Sequence, residues 1–337
     1  MKEQLFTSIY TGKESFLADH KVRGENVLPG AAYLELARAA GALVTKKKIT
    51  QLKDVSWRRP VRVNGTPQKV HTRLYPVGED IGCEIYTQNE AGINVHCEGK
   101  LSTASQTIPG NYDLASIRQQ LPCEKDGPAC YDLFRIKGLD YGSSFRGITS
   151  IYYSETASLS CIKLPKDKAY ELSPGVLDSA LQTCAGPGFA KEDHTLVLPY
   201  CVREVNIYRE LPDVIWCYAR VCGSGKNNGG VVAYDIDLLN AHGEVLLGFK
   251  ELILLPPDGV LTTKQLIPDK TACLFSNSWE DKKATPVATV ATQLLLLAGG
   301  SADLADKLKE KLAQEVLSVP ESAPVDYFVK VLEKVKE

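Results

Sequence analysis

The spacing of apolar residues changes period along the chain, and each change predicts an element. From Gly30 to Val44 (GAAYLELARAAGALV) apolar residues recur at three- and four-residue steps, with alanine and leucine dominant. This predicts a helix, opened by Pro29-Gly30. Strand-like runs follow at 55–63, 68–76, 83–89 and 93–102. The polar, turn-rich stretch 103–128 reads as a linker. The pattern then restarts. Segments 131–137 and 139–147 precede a strand-like run at 148–164, and Pro174-Gly175 opens a second short helix over 176–184 (VLDSALQTC). Further strands are expected at 202–209, 214–222, 231–239 and 245–255.

The two halves resemble each other. Pro29-Gly30 before a helix matches Pro174-Gly175 before a helix. The strand text at 54–58 resembles that at 204–209, and the turn and strand from 91 resemble those from 242. Landmarks in one order at similar offsets suggest an internal duplication. Each half then has one nearly uncharged helix and several strands, which suits a sheet wrapped around a central helix. Pairing the edge strands of two such halves would remove exposed edges. The expected class is α+β, a double hotdog. The tail differs: 292–298 reads as a buried strand, Gly299-Gly300 as a turn, 301–312 as an amphipathic helix and 328–335 as another. It lacks the GxGxxG that lets a backbone approach a pyrophosphate, so no nucleotide role is assigned.

Composition narrows the classes. The 337 residues are 44% hydrophobic and 24% charged, enough apolar material for a core. The 39 basic and 41 acidic residues nearly cancel, which argues against a nucleic-acid partner. The apolar stretch 294–298 is too short to span a membrane, and the N-terminus has no continuous apolar signal-like region. The ten cysteines form no CxxC and no zinc spacing; they read as thiols packed as small hydrophobes in a reducing cytoplasm.

Candidate chemistry is concentrated at a few positions. His20 lies just before the first helix, and histidine is the side chain best poised as a general base near neutral pH. Ten residues on, Gly30 offers a backbone N–H at a helix N-terminus, suited to a carbonyl oxygen gaining charge. Asp178 is the only charged residue of the second helix, where burial favours a protonated carboxyl. Gln182, four residues later, shares its face and can orient it. Tyr141 sits among glycines in GLDYGSSFRG, a turn that could present its phenol to a cavity. Each residue alone also has a structural explanation: a satisfied core histidine, a carboxylate favoured by a helix dipole, a packed turn tyrosine.

Together the motifs resemble the dehydratase domain of modular polyketide synthases. They are HxxxGxxxxP at His20, Gly24 and Pro29, YGxxF at Tyr141, Gly142 and Phe145, and DxxxQ at Asp178 and Gln182. The resemblance covers about residues 1–258. Two positions depart from the family pattern: Ser143 replaces the usual Pro after the Tyr-Gly pair, and Ser173 replaces the usual His before Pro174. The first departure is expected to loosen the turn that positions Tyr141.

The resemblance implies a hotdog half over 1–103, an inter-hotdog linker over 104–128 and a second half over 129–258. Residues 259–337 would be a linker and the start of a ketoreductase-like structural subdomain. It implies a β-hydroxyacyl thioester on the phosphopantetheine arm of an acyl carrier protein, losing water to an α,β-enoyl thioester. His20 would be the base, Asp178 the acid, and Gln182 and Tyr141 its companions in catalysis. Gly24, Pro29, Gly30, Gly142 and Phe145 would bind substrate. No metal or redox cofactor is expected. Expected partners are the carrier protein, neighbouring ketoreductase and ketosynthase domains, and a second copy in a homodimer. The alternatives are a double-bond isomerase, an oxa-cycle-forming domain, or a non-catalytic carrier-protein docking domain. Retention of Asp178 and Gln182 favours dehydration over isomerisation, which needs no acid for a departing hydroxyl.

Overall fold

The computed structural model describes residues 2–90, 92–165, 169–193, 195–222 and 232–256, and the strands at Leu294–Ala298 and Glu315–Val319. The chain divides into two units, Met1–Ala272 and Cys273–Glu337.

In the first unit β1 (Gln4–Tyr10) and one turn of helix, α1 (Ser15–Ala18), lead to a small hairpin of β2 (His20–Val22) and β3 (Glu25–Asn26). Then come α2 (Gly30–Thr45), β4 (Gln51–Trp57), β5 (Gln68–Val77), β6 (Asp80–Asn89) and β7 (Gly92–Ser102). The connection carries α3 (Leu114–Gln119) and β8 (Cys123–Asp126). The second half continues with α4 (Gly127–Ile136), β9 (Leu139–Tyr141), β10 (Ile148–Tyr153), β11 (Ala157–Lys163), α5 (Pro174–Gln182) and α6 (Gly186–Ala190). It closes with β12 (Leu198–Ile207), β13 (Val214–Cys222), β14 (Val232–Leu239) and β15 (Val245–Leu255).

Twelve strands form one sheet in the order β1-β5-β6-β7-β4-β12-β15-β14-β13-β11-β10-β8. The first five come from one half, the next six from the other, and β8 from the connection between them. They meet where β4 and β12 pair antiparallel, Ser56 opposite Cys201 and Gln51 opposite Asn206. The seam consumes an edge of each half, which would otherwise expose unpaired backbone groups. Helix α2 packs on β4–β7, α5 packs on β11, and the two helices touch each other. All nine residues of α5 are buried. One hydrophobic core runs through both halves, including Leu34, Leu52 and Ile85 of the first and Leu177, Ile215 and Phe249 of the second.

Several expectations shift. β1 was not expected: apolar Leu5 and Ile9 alternate with apolar Phe6 and Tyr10, so neither face of the strand reads as polar. The run at 55–63 is strand only to Trp57, because Pro60 cannot donate to a ladder. The run at 148–164 is a hairpin, β10 and β11, turned at Ser154–Thr156. The stretch read as linker holds α3, capped by Asp113, and β8, which pairs with β10 at the sheet edge. Helix α2 is less uncharged than its text suggested in effect: Glu35 and Arg38 are buried within it as an ion pair, Arg38 Nε to Glu35 Oε2 2.6 Å. In the second unit Leu294–Ala298 is a strand, as expected, and pairs in parallel with Glu315–Val319. The helices expected at 301–312 and 328–335, and the Gly299-Gly300 turn, lie outside the described residues.

Candidate active site

A separate three-stranded sheet, β3-β2-β9, brings the two halves together over the helices. It sets His20 of β2 opposite Tyr141 of β9. The imidazole of the first half and the phenol of the second are therefore neighbours by strand register. Asp178, in the second turn of α5, completes the group: His20 Nε2 lies 3.8 Å from Asp178 Oδ1. Each residue is only 6% exposed.

The imidazole is oriented from behind. His20 Nδ1 is 2.9 Å from the Val27 carbonyl oxygen, which can only accept, so Nδ1 carries the proton. The lone pair of the neutral ring is then on Nε2, facing Asp178. Phe145 and Tyr141 flank the ring at centroid distances of 5.2 and 5.5 Å. On the other side, burial holds the Asp178 carboxyl above the usual carboxylate range, opposed by nearby His20 and by a hydrogen bond from Gln182. Gln182 Nε2 donates to Asp178 Oδ2 at 2.8 Å and to the Phe145 carbonyl at 3.1 Å. Burial, with Asp178 and Tyr131 close by, also pushes the Tyr141 phenol well up, so it stays a hydrogen-bond donor.

These groups line a cavity of about 790 Å³. Its walls include Trp57, Leu139, Leu181, Leu198 and Tyr234, so most of the lining is apolar. Arginines 58, 59 and 62 also line it, Arg58 paired with Glu98 and Arg62 with Glu25. Gly30 is the first residue of α2 and lines the cavity; its carbonyl accepts from Trp57 Nε1 at 3.0 Å. Its N–H belongs to the helix N-terminus, where intrahelical acceptors are missing. Among the described residues no cluster of three or more His, Cys, Asp or Glu could hold a metal ion.

Of the five positions expected to bind substrate, Gly30 alone is among the residues lining this cavity. The other four shape its frame. Gly24 turns β2 into β3 with φ +83°, and Pro29 is the N-cap of α2. Phe145 is fully buried behind His20. Gly142 passes so close to Asp19 that a Cβ there would overlap the Asp19 carboxyl group. Asp19 is a residue the sequence reading missed. Its carbonyl accepts from Gly142 N at 2.8 Å, and its Oδ2 accepts from Ser144 N at 2.9 Å and Ser144 Oγ at 2.7 Å. Ser143 Oγ is 3.5 Å from the same oxygen. The turn after Tyr141 is therefore tied to Asp19, the residue beside His20, through Gly142 and Ser144. Tyr131, also unforeseen, reaches Gln182 from α4 with its hydroxyl 3.2 Å from Gln182 Oε1.

Comparison with known proteins bears on the family and the fold. Residues 109–256 match the family model described as polyketide synthase dehydratase N-terminal domain, and residues 1–88 the one described as polyketide synthase dehydratase domain. Polyketide synthase PksM of Bacillus subtilis is 36% identical over 290 residues, 79% of this chain and 7% of that protein. Polyketide synthase PksN of the same organism is 32% identical over 346 residues, 96% of this chain and 6% of that protein. The chain thus spans 7% or less of the length of these curated relatives. The crystal structure of a trans-AT polyketide synthase dehydratase domain from Brevibacillus brevis superposes with a TM-score of 0.68 at 31% identity, covering 75% of this chain and 93% of that one. With two wrapped helices, one continuous sheet and a histidine facing an aspartate between the halves, the chain belongs to the dehydratase domains of polyketide synthases, hydro-lyases built on a double hotdog.

Proposed function

We propose that His20 and Asp178 divide the work of removing water from a β-hydroxyacyl thioester. His20 Nε2 takes the α proton. The Gly30 N–H stabilises the enolate-like thioester oxygen that results. Asp178, whose burial favours the neutral carboxyl, gives its proton to the departing β-hydroxyl, and Tyr141 donates a hydrogen bond to that hydroxyl. The α,β-double bond forms as the C–O bond breaks, and water leaves. The observation that carries this reading is the opposed pair itself: an imidazole whose free nitrogen faces a buried carboxyl across 3.8 Å, both lining one cavity. A base and an acid in one buried site can serve the two ends of one elimination without metal or redox help.

The apolar lining suits an acyl chain, and the arginines at 58, 59 and 62 suit an anionic carrier. We therefore assign the substrate to the phosphopantetheine arm of an acyl carrier protein, with no other cofactor. The working frame is two hotdog halves over 1–103 and 129–258 joined by 104–128, with 259–337 leading toward a ketoreductase-like neighbour. Other synthase domains, ketosynthase included, and a second copy of the chain are the proposed partners.

The test is to incubate the protein with a β-hydroxyacyl carrier protein and weigh the acyl product. Loss of one water supports the proposal. Unchanged mass with a migrated double bond on an enoyl substrate would make the chain an isomerase. No turnover across a series of acyl chains would make it a docking domain.

A further inference from the structure

Behind Asp178 lies a polar knot that the elimination does not use directly. The buried Tyr131 hydroxyl accepts from Ile148 N at 2.9 Å. Its own proton faces two acceptors, Gln182 Oε1 at 3.2 Å and the Phe145 carbonyl at 3.3 Å. Gln182 Nε2 spends its two protons on the Phe145 carbonyl, 3.1 Å, and Asp178 Oδ2, 2.8 Å. The Phe145 carbonyl can only accept. Reversing the amide would set the Gln182 carbonyl oxygen against it and leave the Phe145 oxygen one donor fewer. Only one orientation therefore satisfies every partner, and the Tyr131 hydroxyl fills the end of the amide that points away from Asp178.

We infer that Tyr131 is a positioning residue that locks the Gln182 amide, and that this lock confines the transferable proton of Asp178 to Oδ1. The inference rests on the reading of Asp178 as the acid. A neutral carboxyl has one O–H and one accepting oxygen. Oδ2 already accepts from Gln182, so the O–H is at Oδ1, the oxygen nearest His20. Without the Tyr131 hydroxyl the Phe145 carbonyl is left as the only partner of this knot that opposes the reversed amide, so the population that offers its oxygen to Asp178 rises. The acid proton would then be held by Gln182 instead of being aimed at the substrate. The groups facing Asp178 are His20 from β2, Tyr141 from β9, Tyr131 from α4 and Gln182 on α5 itself. Arg146 stands beyond them, 4.9 Å over the Tyr131 ring. Only the Tyr131 hydroxyl is removed by Tyr131→Phe.

That variant, assayed on a β-hydroxyacyl thioester, is expected to lose about tenfold in kcat, the rate equivalent of one hydrogen bond, with KM little changed. The basic limb of its pH profile should move upward, since losing a donor to the carboxylate favours the neutral acid. A fall in kcat with the basic limb unmoved would reduce Tyr131 to a packing role and overturn the inference. A second readout does not depend on the variant folding. In the wild-type protein labelled with ¹⁵N-glutamine, the Gln182 side-chain amide, assigned by its loss in Gln182→Ala, should be protected from hydrogen exchange. Exchange at the solvent rate would overturn the lock. Asp178→Asn separates the two readings: if it leaves activity and the basic limb intact, Asp178 is not the acid, whereas faster amide exchange in Tyr131→Phe than in the wild type still reports on Tyr131.

Discussion

His20 and Asp178 are both buried, yet their surroundings push them toward opposite jobs. The Val27 carbonyl fixes the tautomer of His20, and burial raises the pKa of the Asp178 carboxyl. His20→Ala and Asp178→Asn are each expected to cost about 10²–10⁴-fold in turnover while the melting temperature stays near or above that of the wild type. Turnover of carrier-bound substrate and a thermal melt read the two effects separately. The raised Asp178 pKa also has a consequence for stability. Between the ordinary carboxylate pKa and the higher folded value, the native state binds a proton that the unfolded chain has released. Stability therefore falls as pH rises through that window. Below it both states are protonated and the penalty vanishes; above it the penalty is complete. Asp178→Asn removes the group, so its advantage over the wild type in urea denaturation should grow with pH across the window. A constant difference over that range would mean that the carboxyl is not held above its ordinary value. The motif residues themselves were legible because histidine, aspartate and glutamine in an apolar context have few inexpensive explanations. Asp19 and Tyr131 were not, since their roles depend on residues more than fifty positions away in Gln182, or more than a hundred in Ser144.

At the scale of elements, the site depends on how closely three pieces approach: the β2 strand, the turn after β9 and the start of α5. Gly175 permits the last contact, because a Cβ there would overlap the Ser144 carbonyl. Gly142 permits the first, against Asp19. Gly142→Ala is expected to destabilise by about 1–3 kcal/mol through overpacking and to lower turnover as the turn moves off His20. Adding Asp19→Ala should relieve part of that cost, giving a non-additive cycle in denaturation. Strict additivity would show that the two residues do not press on each other. The helices are also stitched together by the buried ion pair of α2. Glu35 accepts from the backbone N–H groups of Glu171 and Leu172, 3.2 and 3.1 Å, just before α5, and Arg38 reaches Glu171 Oε2 at 2.8 Å. Removing the Glu35 charge would leave buried Arg38 the partly exposed Glu171 as its counter-charge, so Glu35→Gln is expected to cost about 1–3 kcal/mol, read by chemical denaturation. The two central helices and most strands were legible from their periods. Their ends were less so, because Pro60, the turn at Ser154–Thr156 and the cap at Asp113 act within runs whose composition does not change.

For the molecule as a whole, the joint between the halves is the decisive feature. At the seam Gln51 Nε2 donates to Asn206 Oδ1 at 2.7 Å, and both residues are buried. Asn206→Leu should cost about 1–3 kcal/mol by leaving the Gln51 amide unpaired. The double variant Gln51→Leu/Asn206→Leu should recover part of it, and a denaturation cycle with no recovery would argue against a coupled pair. The sequence by itself determined that the chain repeats a helix-and-strands unit, that each helix is apolar enough to be wrapped, and which residues are the candidates for proton transfer. These follow from local patterns, since burial of a helix is written into its own text. Only the tertiary structure decided that His20 of one half meets Asp178 of the other, and which oxygen of Asp178 is free. It also showed that Asp19 ties down the turn after Tyr141. Those facts are distances between residues far apart in the chain. The pairing of β2 with β9 and of β4 with β12 creates them, and no stretch of sequence contains them.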